Sequence, residues 1–286
     1  MIHRPTAYAR PRTSAFGRPT NSRERGADGA TTTPGTKETT HQRGGTALPR
    51  TRVRPTERMT NEWVEWHRQY EDEGLLTARL RVVQKRIHQA LDRNPVGPIQ
   101  VLSMCAGDGR DLLGVLADHP RKRDVKARLV ELSPELVASG RERLRTLNLP
   151  SVEFVQGDAS SSDAYEGVAP ANLLLVCGIF GNITDEDILR TIGHLPELSS
   201  RGATVVWTRG RFAPDLTPTI RKWFREAGFE ESSFDTIPDT TASVGVHRLT
   251  TEPRPYRRGV RLFTFLEKED RPSERARRAD RSSGAI

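Results

Sequence analysis

Apolar and polar residues follow two different periods along this chain. In LLTARLRVVQKRIHQALDR, residues 75–93, apolar residues recur at i, i+3, i+4 and i+7, which predicts an amphipathic helix. From Ile99 onward, short apolar runs alternate with helical patterns. Because near-continuous apolar strands separated by helices are typical of a sheet covered on both faces, the pattern predicts a mostly parallel α/β fold.

The predicted strands and helices alternate from residue 99 to residue 228, and two further strands close the sheet. The predicted strands are IQVLSM, KARLVEL, VEFVQ, ANLLLVCGI, GATVVWTRG, SVGVHRL and RLFTFLE. The predicted helices between them are RDLLGVLADH, PELVASGRERLRTL, DEDILRTIGHLPEL and TPTIRKWFREAG. A shorter helix is predicted over NEWVEWHRQYEDE, with Asn61 as its N-cap.

Charge separates the start of the chain from the remainder. Residues 1–58 hold 12 Lys and Arg against 4 Asp and Glu, whereas residues 59–286 hold 33 of each, so the net charge of +8 belongs to the N-terminal segment. Its low apolar content and lack of periodicity predict a disordered basic tail. We expect an N-terminal helical lid over residues 59–97, a folded domain over 98–267 and a disordered charged tail over 268–286.

Cysteine usage and hydropathy narrow the class of protein. The two cysteines, Cys105 and Cys177, lie in apolar runs, which favours buried thiols in a reducing compartment over disulfides. No Cys or His cluster has metal-ligand spacing, so no metal is expected. The sequence has neither a run of 18 apolar residues nor the apolar segment of a secretory signal. These features predict a cytoplasmic protein without a membrane partner.

The turn CAGDG, residues 105–109, joins the first strand of the alternating pattern to its helix. In an open parallel sheet, ligands lie beyond the carboxyl ends of the strands. Gly107 and Gly109 allow positive φ and a close approach of the backbone to a ligand. A lone pair of glycines is also typical of an ordinary strand–turn–helix connection, so other residues must specify the ligand.

Two acids follow at the ends of the next two strands. Glu131 ends the second strand, 22 residues after Gly109, where a carboxylate can accept hydrogen bonds from two ribose hydroxyls. Asp158 follows the third strand in VQGDAS, where it could accept from an exocyclic amine such as that of adenine. Each acid alone could be a solvated strand end, a turn residue or a cap. Together with the glycine turn they predict a nucleoside site.

The residues around the turn discriminate between nucleoside cofactors. The dinucleotide fingerprint requires a small residue at position 112, where this chain has Leu112. Asp108 and Asp111 place negative charge beside the helix N-terminus, which disfavours the pyrophosphate of NAD and tolerates a cation. S-Adenosylmethionine combines a ribose and an adenine with an ammonium and a sulfonium group, and it suits this pattern better.

At these residues the chain resembles the class I S-adenosylmethionine-dependent methyltransferases, and within them a bacterial group. VLSMCAGDGRDL, LVELSP and VQGDAS are similar to the first three motifs of the family, and LLLVCGIFGN occupies the place of the fourth strand and its loop. The resemblance covers residues 98–266. It implies a doubly wound, Rossmann-like, seven-stranded sheet, mostly parallel with an antiparallel last strand and preceded by N-terminal helices. It also implies S-adenosylmethionine as cofactor, with Glu131 on the ribose and Asp158 on the adenine amine.

The residues expected to bind this cofactor lie at the carboxyl ends of the first four strands. They are Cys105, Ala106, Gly107, Asp108, Gly109, Asp111, Glu131, Leu132, Asp158, Ala159, Cys177 and Gly178. The chain departs from the family pattern at Ser103, where an acid is common, and at Cys105, where a glycine is common. Asp108 or Asp111 is therefore expected to take over contacts to the methionine end.

Acceptor-side candidates come from the loops after the fourth and fifth strands. Phe180 either packs in the core or contacts the acceptor, and Asn182 either positions the acceptor or caps the next helix. Arg209 and Arg211 either clamp an anionic group of the acceptor or are solvated loop residues and partners of nearby acids.

Further candidates lie in the N-terminal segment. His67 and Tyr70 could close over the cofactor, with His67 as a general base, although many methyl acceptors need none. Aromatic residues at helical spacing more often simply pack on the domain. His247 lies in a predicted strand, which favours a structural role.

These observations predict a methyltransferase that acts on an oxygen or nitrogen of a small-molecule acceptor. The folded body is neutral, and CGIF stands where nucleic-acid amino methyltransferases usually carry an Asn/Asp-Pro-Pro-aromatic stretch. One alternative is a nucleic-acid-associated protein, an RNA methyltransferase or an RNA binder, whose basic tail binds phosphate. Another is a non-catalytic cofactor-binding module. The sequence does not define the acceptor, a catalytic base or the oligomeric state.

Overall fold

The computed structural model of the protein describes residues 74–276. The strands are β1 Ile99–Met104, β2 Val125–Glu131, β3 Val152–Gln156, β4 Ala171–Val176, β5 Ser199–Gly210, β6 Phe229–Thr236 and β7 Ala242–Leu249. The α-helices are α1 Leu75–Arg93, α2 Arg110–Leu116, α3 Pro134–Leu147, α4 Asp185–Leu198 and α5 Thr217–Glu226. Two 3-10 helices cover Ser162–Tyr165 and Lys268–Asp270.

All seven strands belong to one sheet with the order β3-β2-β1-β4-β5-β7-β6. The pairs among β1 to β5 are parallel, and β7 runs antiparallel to both β5 and β6. The strand order reverses between β1 and β4, so the loops after these strands meet at the edge where open α/β sheets bind ligands. The predicted doubly wound, mostly parallel sheet with an antiparallel last strand is confirmed.

The helices cover both faces of the sheet, as its apolar strands require. Apolar residues of α1, α2 and α3 pack on one face, and those of α4 and α5 pack on the other. Successive residues of one strand contribute to opposite layers: Val101 belongs to the first cluster and Leu102 to the second. Both of these β1 side chains are fully buried. The central strands are thereby held rigidly, and their carboxyl ends lie at fixed positions.

Local signals explain where several helices begin and end. The hydroxyl of Ser133 accepts a hydrogen bond from the N–H of Leu136, and Pro134 occupies the first turn of α3. Asn148 ends that helix in the left-handed conformation at φ 50°. Helix α1 stops at Asn94, directly before Pro95. The predicted bounds of α1 and α3 therefore agree with the structure.

The end of the domain differs from the prediction. The predicted last pair, SVGVHRL with RLFTFLE, is wrong, because β7 pairs with β6, a strand that the sequence pattern did not reveal. RLFTFLE instead makes two isolated bridges, Ser161 with Arg261 and Ile183 with Phe265. It crosses the loops after β3 and β4 as part of a C-terminal segment, residues 250–266. Residues 268–276, assigned to a charged tail, include a 3-10 helix and the buried Arg271.

Parts of the predicted organisation fall outside residues 74–276. These parts are the basic tail over 1–58, most of the helical lid with its helix over NEWVEWHRQYEDE, and the last ten residues of the chain. Within the described range, no helix is both long enough and apolar enough to cross a membrane.

Candidate active site

The turn after β1 contains three residues with positive φ. Cys105, Gly107 and Gly109 have φ values of 51°, 58° and 71°. Gly109 is the N-cap of α2, and a Cβ built on it would lie 2.7 Å from Cζ of Phe154 and 2.9 Å from Cδ2 of Leu129. Glycine is therefore required at position 109 both for backbone conformation and for space.

The carboxylate of Glu131 holds this turn in place. Its Oε2 accepts a hydrogen bond from the N–H of Gly107 at 2.8 Å, and its Oε1 accepts one from the N–H of Ser133 at 2.9 Å. Burial raises the pKa of Glu131, and the hydrogen bonds from Ser133 and Gly107 oppose that rise only in part. A carboxylate has about four lone-pair sites, so acceptor capacity is left for hydroxyls of a ligand.

The carboxylate of Asp158 lies in the loop after β3 and is also held by specific partners. Oδ1 accepts from the N–H of Ser160 at 2.9 Å and from its hydroxyl at 2.5 Å, and Oδ2 accepts from Arg261 at 2.9 Å. Partial burial acts to raise the pKa of Asp158, but the bonds from Ser160 and Arg261 hold it below its usual value. The group is an ionised acceptor, and its side chain is 48% exposed.

The next residue fixes the backbone of the same loop. Ala159 is buried, and its carbonyl accepts a hydrogen bond from the hydroxyl of Tyr165 at 2.6 Å. The C-terminal segment adds a second restraint, because the N–H of Leu262 donates to the carbonyl of Ser160 at 2.7 Å. The loop after β3 is thereby fixed on both sides of Asp158.

The negative charge of Asp108 is neutralised by neighbouring arginines. It is therefore not available to a ligand at the ligand edge, the edge of the sheet formed by the carboxyl ends of the parallel strands. Asp108 is buried, and its carboxylate pairs with the guanidinium of Arg110 at 2.8 and 2.7 Å and with that of Arg143 at 3.2 Å. The expectation that Asp108 and Asp111 together repel a pyrophosphate is therefore corrected, since two arginines neutralise Asp108. The electrostatic argument depends on Asp111.

Asp111 occupies the first turn of α2 at the point where β1 and β4 end. Burial raises the pKa of Asp111 to about 6, against a hydrogen bond from the N–H of Leu112 at 2.7 Å. Its charge acts on the thiol of Cys177, directly after β4, whose pKa is raised mainly by burial. Arg79 of α1 carries the opposite charge at the same place and lowers both pKa values.

Hydrogen bonds to β5 and within the loop itself fix the conformation of the loop after β4. Gly178 has a φ of 75°, and its N–H donates to the hydroxyl of Thr208 at 2.8 Å. The side-chain amide of Asn182 donates to the carbonyl of Gly178 at 2.7 Å and closes the loop on itself. Helix α4 is capped by Thr184, whose hydroxyl accepts from the N–H of Asp187 at 3.1 Å. The interpretation of Asn182 as the helix cap is therefore wrong.

Phe180 belongs to the core. Its ring is fully buried, with its centroid 5.9 Å from that of Trp207 and 6.4 Å from that of Phe224. A side chain in this position has no surface to offer a substrate, so the structure supports packing and not acceptor contact for Phe180.

The two arginines expected in the loop after the fifth strand are placed differently, because Arg209 lies within β5 and only Arg211 follows it. Arg209 is buried and donates to the carbonyl of Phe180, so it supports the loop after β4 from inside. Its Nε atom is buried without a hydrogen-bond partner among residues 74–276. Arg211 is half-buried and donates to the carbonyl of Thr240 at 3.1 Å. The structure therefore does not show them as a symmetrical clamp, and Arg211 is the more accessible of the two.

A protein-family model described as "Putative methyltransferase" matches residues 73–223, which is more than half of the chain. The match spans the glycine turn, Glu131, Asp158 and the loop after β4. The chain belongs to this methyltransferase family. No curated protein sequence matches it.

Solved methyltransferase structures share the fold of this methyltransferase. The magnesium protoporphyrin IX methyltransferase of Synechocystis PCC 6803 with bound SAM is 12% identical, with a TM-score of 0.53 over 69% of this chain and 98% of that chain. The 1,6-didemethyltoxoflavin-N1-methyltransferase of Burkholderia thailandensis is 17% identical, with a TM-score of 0.50 over 71% and 94% of the two chains. Family and fold together identify an S-adenosylmethionine-dependent methyltransferase.

The histidine candidates have different outcomes. His67 and Tyr70 lie outside the described residues of the methyltransferase, and their roles stay predictions. His247 is fully buried in β7, where its Nδ1 accepts from the indole N–H of Trp207 at 3.0 Å and its ring stacks on Phe224 at 4.3 Å. Burial lowers the pKa of His247 to about 4, so it is neutral at pH 7. The structure supports a structural role.

Sequence spacing missed a second cluster, at the opposite end of α2. The carboxylate of Asp92 lies 3.0 Å from Nδ1 of His88 and 3.3 Å from Nε2 of the buried His119. These three residues have the composition of a metal site. The Nδ1 of His119, however, accepts from the N–H of Arg121 at 3.1 Å, so the ring proton of neutral His119 resides on Nε2. A protonated nitrogen is not a metal ligand, so the geometry favours a polar cluster that joins α1 to the loop after α2. Its hydrogen bond lies between His88 and Asp92, and among residues 74–276 the buried Nε2 of His119 has no hydrogen-bond partner.

Proposed function

We propose that this protein transfers the methyl group of S-adenosylmethionine to an oxygen or nitrogen of a small-molecule acceptor. The observation that carries the proposal is the buried Glu131 carboxylate, which bridges the glycine turn and retains acceptor capacity at the carboxyl edge of the sheet. Ribose hydroxyls are donors that satisfy such a group, and each charge-assisted hydrogen bond contributes roughly 1.5–3 kcal/mol.

Residues beside Glu131 suit the adenine base. Leu132 is 39% exposed, which is unusual for a large apolar side chain in this domain and provides a surface for a flat ring. Asp158 accepts hydrogen bonds, and its Oδ2 has capacity beyond the bond from Arg261. These positions support Leu132 against the ring and Asp158 on the exocyclic amine. The buried backbone of Ala159 would lie along the same edge of the base.

The methionine end would lie where β1 and β4 end. Cys105, Gly107 and the N-terminus of α2 present backbone there, and Asp111 supplies negative charge for the ammonium and sulfonium. Cys177 and Gly178 would line the other side, with the glycine fixed by Thr208. NAD is disfavoured because its pyrophosphate would face Asp111 and because Leu112 replaces the small residue of the dinucleotide fingerprint.

The loop after β4 supports a small acceptor over a nucleobase. Enzymes that modify a base in nucleic acid extrude it and commonly stack it on aromatic or apolar side chains. In this chain the aromatic residue of that loop, Phe180, is fully buried between Trp207 and Phe224. Residues 59–286 hold equal numbers of acidic and basic residues, so this part of the chain has no net positive charge that would favour nucleic-acid binding.

In this proposal the protein promotes methyl transfer chiefly by aligning the acceptor with the methyl group of the cofactor. The cofactor supplies an electrophilic methyl group on its sulfonium, and in-line placement of the acceptor accounts for much of the catalysis in such a displacement. Thr208, Arg209 and Asn182 all bind backbone atoms of the loop after β4, so they fix the wall on which the acceptor would lie. Arg211 is the more accessible candidate for an anionic group of the acceptor.

Calorimetric titration of the full chain tests the cofactor assignment. We expect micromolar binding of S-adenosylmethionine and S-adenosylhomocysteine, and no binding of NAD under the same conditions. A panel of hydroxyl- and amine-bearing metabolites, followed by mass spectrometry for a gain of one methyl group, then tests the acceptor class. A folded chain that binds neither adenosyl ligand would contradict the proposal, and methylation of RNA alone would replace the small acceptor by a nucleic acid.

The raised pKa of Asp111 predicts a pH dependence of cofactor affinity. Above a pH of about 6 the carboxylate is ionised and attracts the cationic methionine end, and below it the group is neutral. We expect the affinity for S-adenosylmethionine to fall about fivefold between pH 7 and pH 5, as expected for loss of one partly screened charge interaction. Calorimetry across this range measures the effect.

Two comparisons isolate Asp111 from the other acids of the site. Asp111→Asn should flatten the profile, because the amide does not titrate. Methylthioadenosine lacks the charged methionine end, so its affinity should depend on pH only through the titration of Glu131 and Asp158. An identical profile for both ligands would show that Asp111 does not contact the methionine end.

A further inference from the structure

Helix α1 carries a cation on its core-facing side. Val83, Ile87 and Leu91 are buried and recur every four residues, and Arg79 continues this series one turn toward the N-terminus. An arginine is rarely placed on an apolar stripe unless it meets a partner. Arg79 is half-buried, so the helix directs it toward the domain and not only into solvent.

The packing of α1 on α2 shows where along the sheet Arg79 lies. At one end, Asp92 of α1 meets His119, which follows α2. Further toward its N-terminus, Gln84 of α1 donates to the carbonyl of Arg110, the first residue of α2. The two helices therefore point in the same direction, and Arg79, five residues before Gln84, lies about 7 Å farther along the axis. This rise carries Arg79 past the N-terminus of α2 to the ligand edge.

The electrostatics agree with this placement. The charge of Arg79 acts on Asp111 in the first turn of α2 and on Cys177 after β4, the two groups that flank the proposed position of the methionine end. The methionine end is a zwitterion, so a site that holds it needs an acid for the ammonium and a base for the carboxylate. Asp111 and Arg79 form such a pair of opposite charges.

We infer that Arg79 is the residue that binds the methionine carboxylate of the cofactor, an inference that rests on the proposed function. The planar guanidinium matches a carboxylate in a bidentate arrangement. Because α1 precedes the sheet, binding of the carboxylate would also tie this helix to the cofactor site. Arg79 would thus discriminate the intact cofactor from an analogue without its carboxylate.

Decarboxylated S-adenosylmethionine tests this contact, since it keeps the adenosine, the sulfonium and the ammonium. Calorimetry on the full chain should show the wild type binding S-adenosylmethionine about 20-fold more tightly than the decarboxylated form, which is a typical value for one charge-assisted contact. In Arg79→Ala that ratio should fall close to one, mostly through weaker binding of S-adenosylmethionine. Arg79→Lys should restore part of it, because it keeps the charge without the bidentate geometry.

Arg81→Ala is the matched control, since Arg81 is an exposed arginine on the same helix. It should leave the ratio of the two affinities unchanged. Retained binding of the decarboxylated form by Arg79→Ala shows that the variant is folded. If Arg79 only supported the fold, its loss would change the two affinities by the same factor and the ratio would persist, which would overturn the inference. Failure of the wild type to bind either form would instead contradict the proposed function.

Discussion

Replacement of Glu131 by alanine is expected to weaken binding of S-adenosylmethionine and S-adenosylhomocysteine at least about 100-fold. Two hydrogen bonds from ribose hydroxyls to a carboxylate would be lost, at roughly 1.5–3 kcal/mol each. The variant also leaves the N–H groups of Gly107 and Ser133 without their acceptor, so the glycine turn loses its support. Calorimetric titration gives the affinities, and thermal unfolding separates loss of the site from loss of the fold.

Glu153→Ala is the matched control for this variant. Glu153 lies on the neighbouring strand β3 and pairs with Arg128 through a half-exposed side chain, away from the glycine turn. Its loss should change cofactor affinity by less than about twofold, as expected for a surface ion pair. Glu131→Gln should resemble the alanine variant, because its amide NH₂ would face one of the two N–H donors. Unchanged affinity in a folded Glu131→Ala protein would remove Glu131 from the ribose site.

The sequence pattern predicts well the strands that carry several apolar residues. IQVLSM coincides with the central strand β1, VEFVQ coincides with the edge strand β3, whose apolar residues alternate with polar ones, and LLTARLRVVQKRIHQALDR coincides with α1. The other edge strand, β6, FEESSFDT, escapes the same reasoning because it is mostly polar. RLFTFLE is apolar enough for a strand, yet its adjacent residues Leu262 and Phe263 are both buried in the core cluster on the side of α4 and α5. Apolar content alone shows that such a segment is buried, and it does not show what buries it.

The positions of the two candidate acids were predictable because they depend on place along a strand. Glu131 ends β2 and Asp158 follows β3, and the fold alone brings those ends to one edge. Their partners could not be derived in the same way. Arg261 meets Asp158 across 103 residues of chain, through a segment whose path depends on the packing of the finished domain.

The candidate residues on the acceptor side depend even more on tertiary contacts that the sequence pattern does not reveal. Whether Phe180 faces a substrate or the core depends on Trp207 and Phe224, which come from β5 and α5. Asn182 precedes an acidic helix start, a context that suits a cap, but the next hydroxyl in the chain, on Thr184, takes that position. Asp108 lies in the motif turn, yet Arg143 from α3 contributes to its neutralisation. Local sequence lists the candidates, and tertiary contacts decide among them.

A glycine series around Phe154 should separate backbone strain from lack of space. Gly109→Ala is expected to lower the free energy of unfolding by about 3 kcal/mol, because it combines a positive φ with an overpacked core. Gly140→Ala should be destabilising by about 1–2 kcal/mol, although alanine is normally the better helix former. A Cβ at Gly140 would lie 2.2 Å from Cζ of Phe154, the same ring atom that faces Gly109. Urea unfolding of the variants measures these differences.

Gly167→Ala supplies the reference for strain alone. Gly167 has a φ of 77°, close to that of Gly109, but no atom lies within 4 Å of an added Cβ, so a loss of only about 1 kcal/mol is expected. The ring of Phe154 is buried and faces both packed glycines. Trimming that ring in the Gly140→Ala background, with Phe154→Leu, should therefore cost less than the sum of the two single changes. Stabilisation by Gly140→Ala would show that α3 does not approach Phe154 as closely as the structure has it.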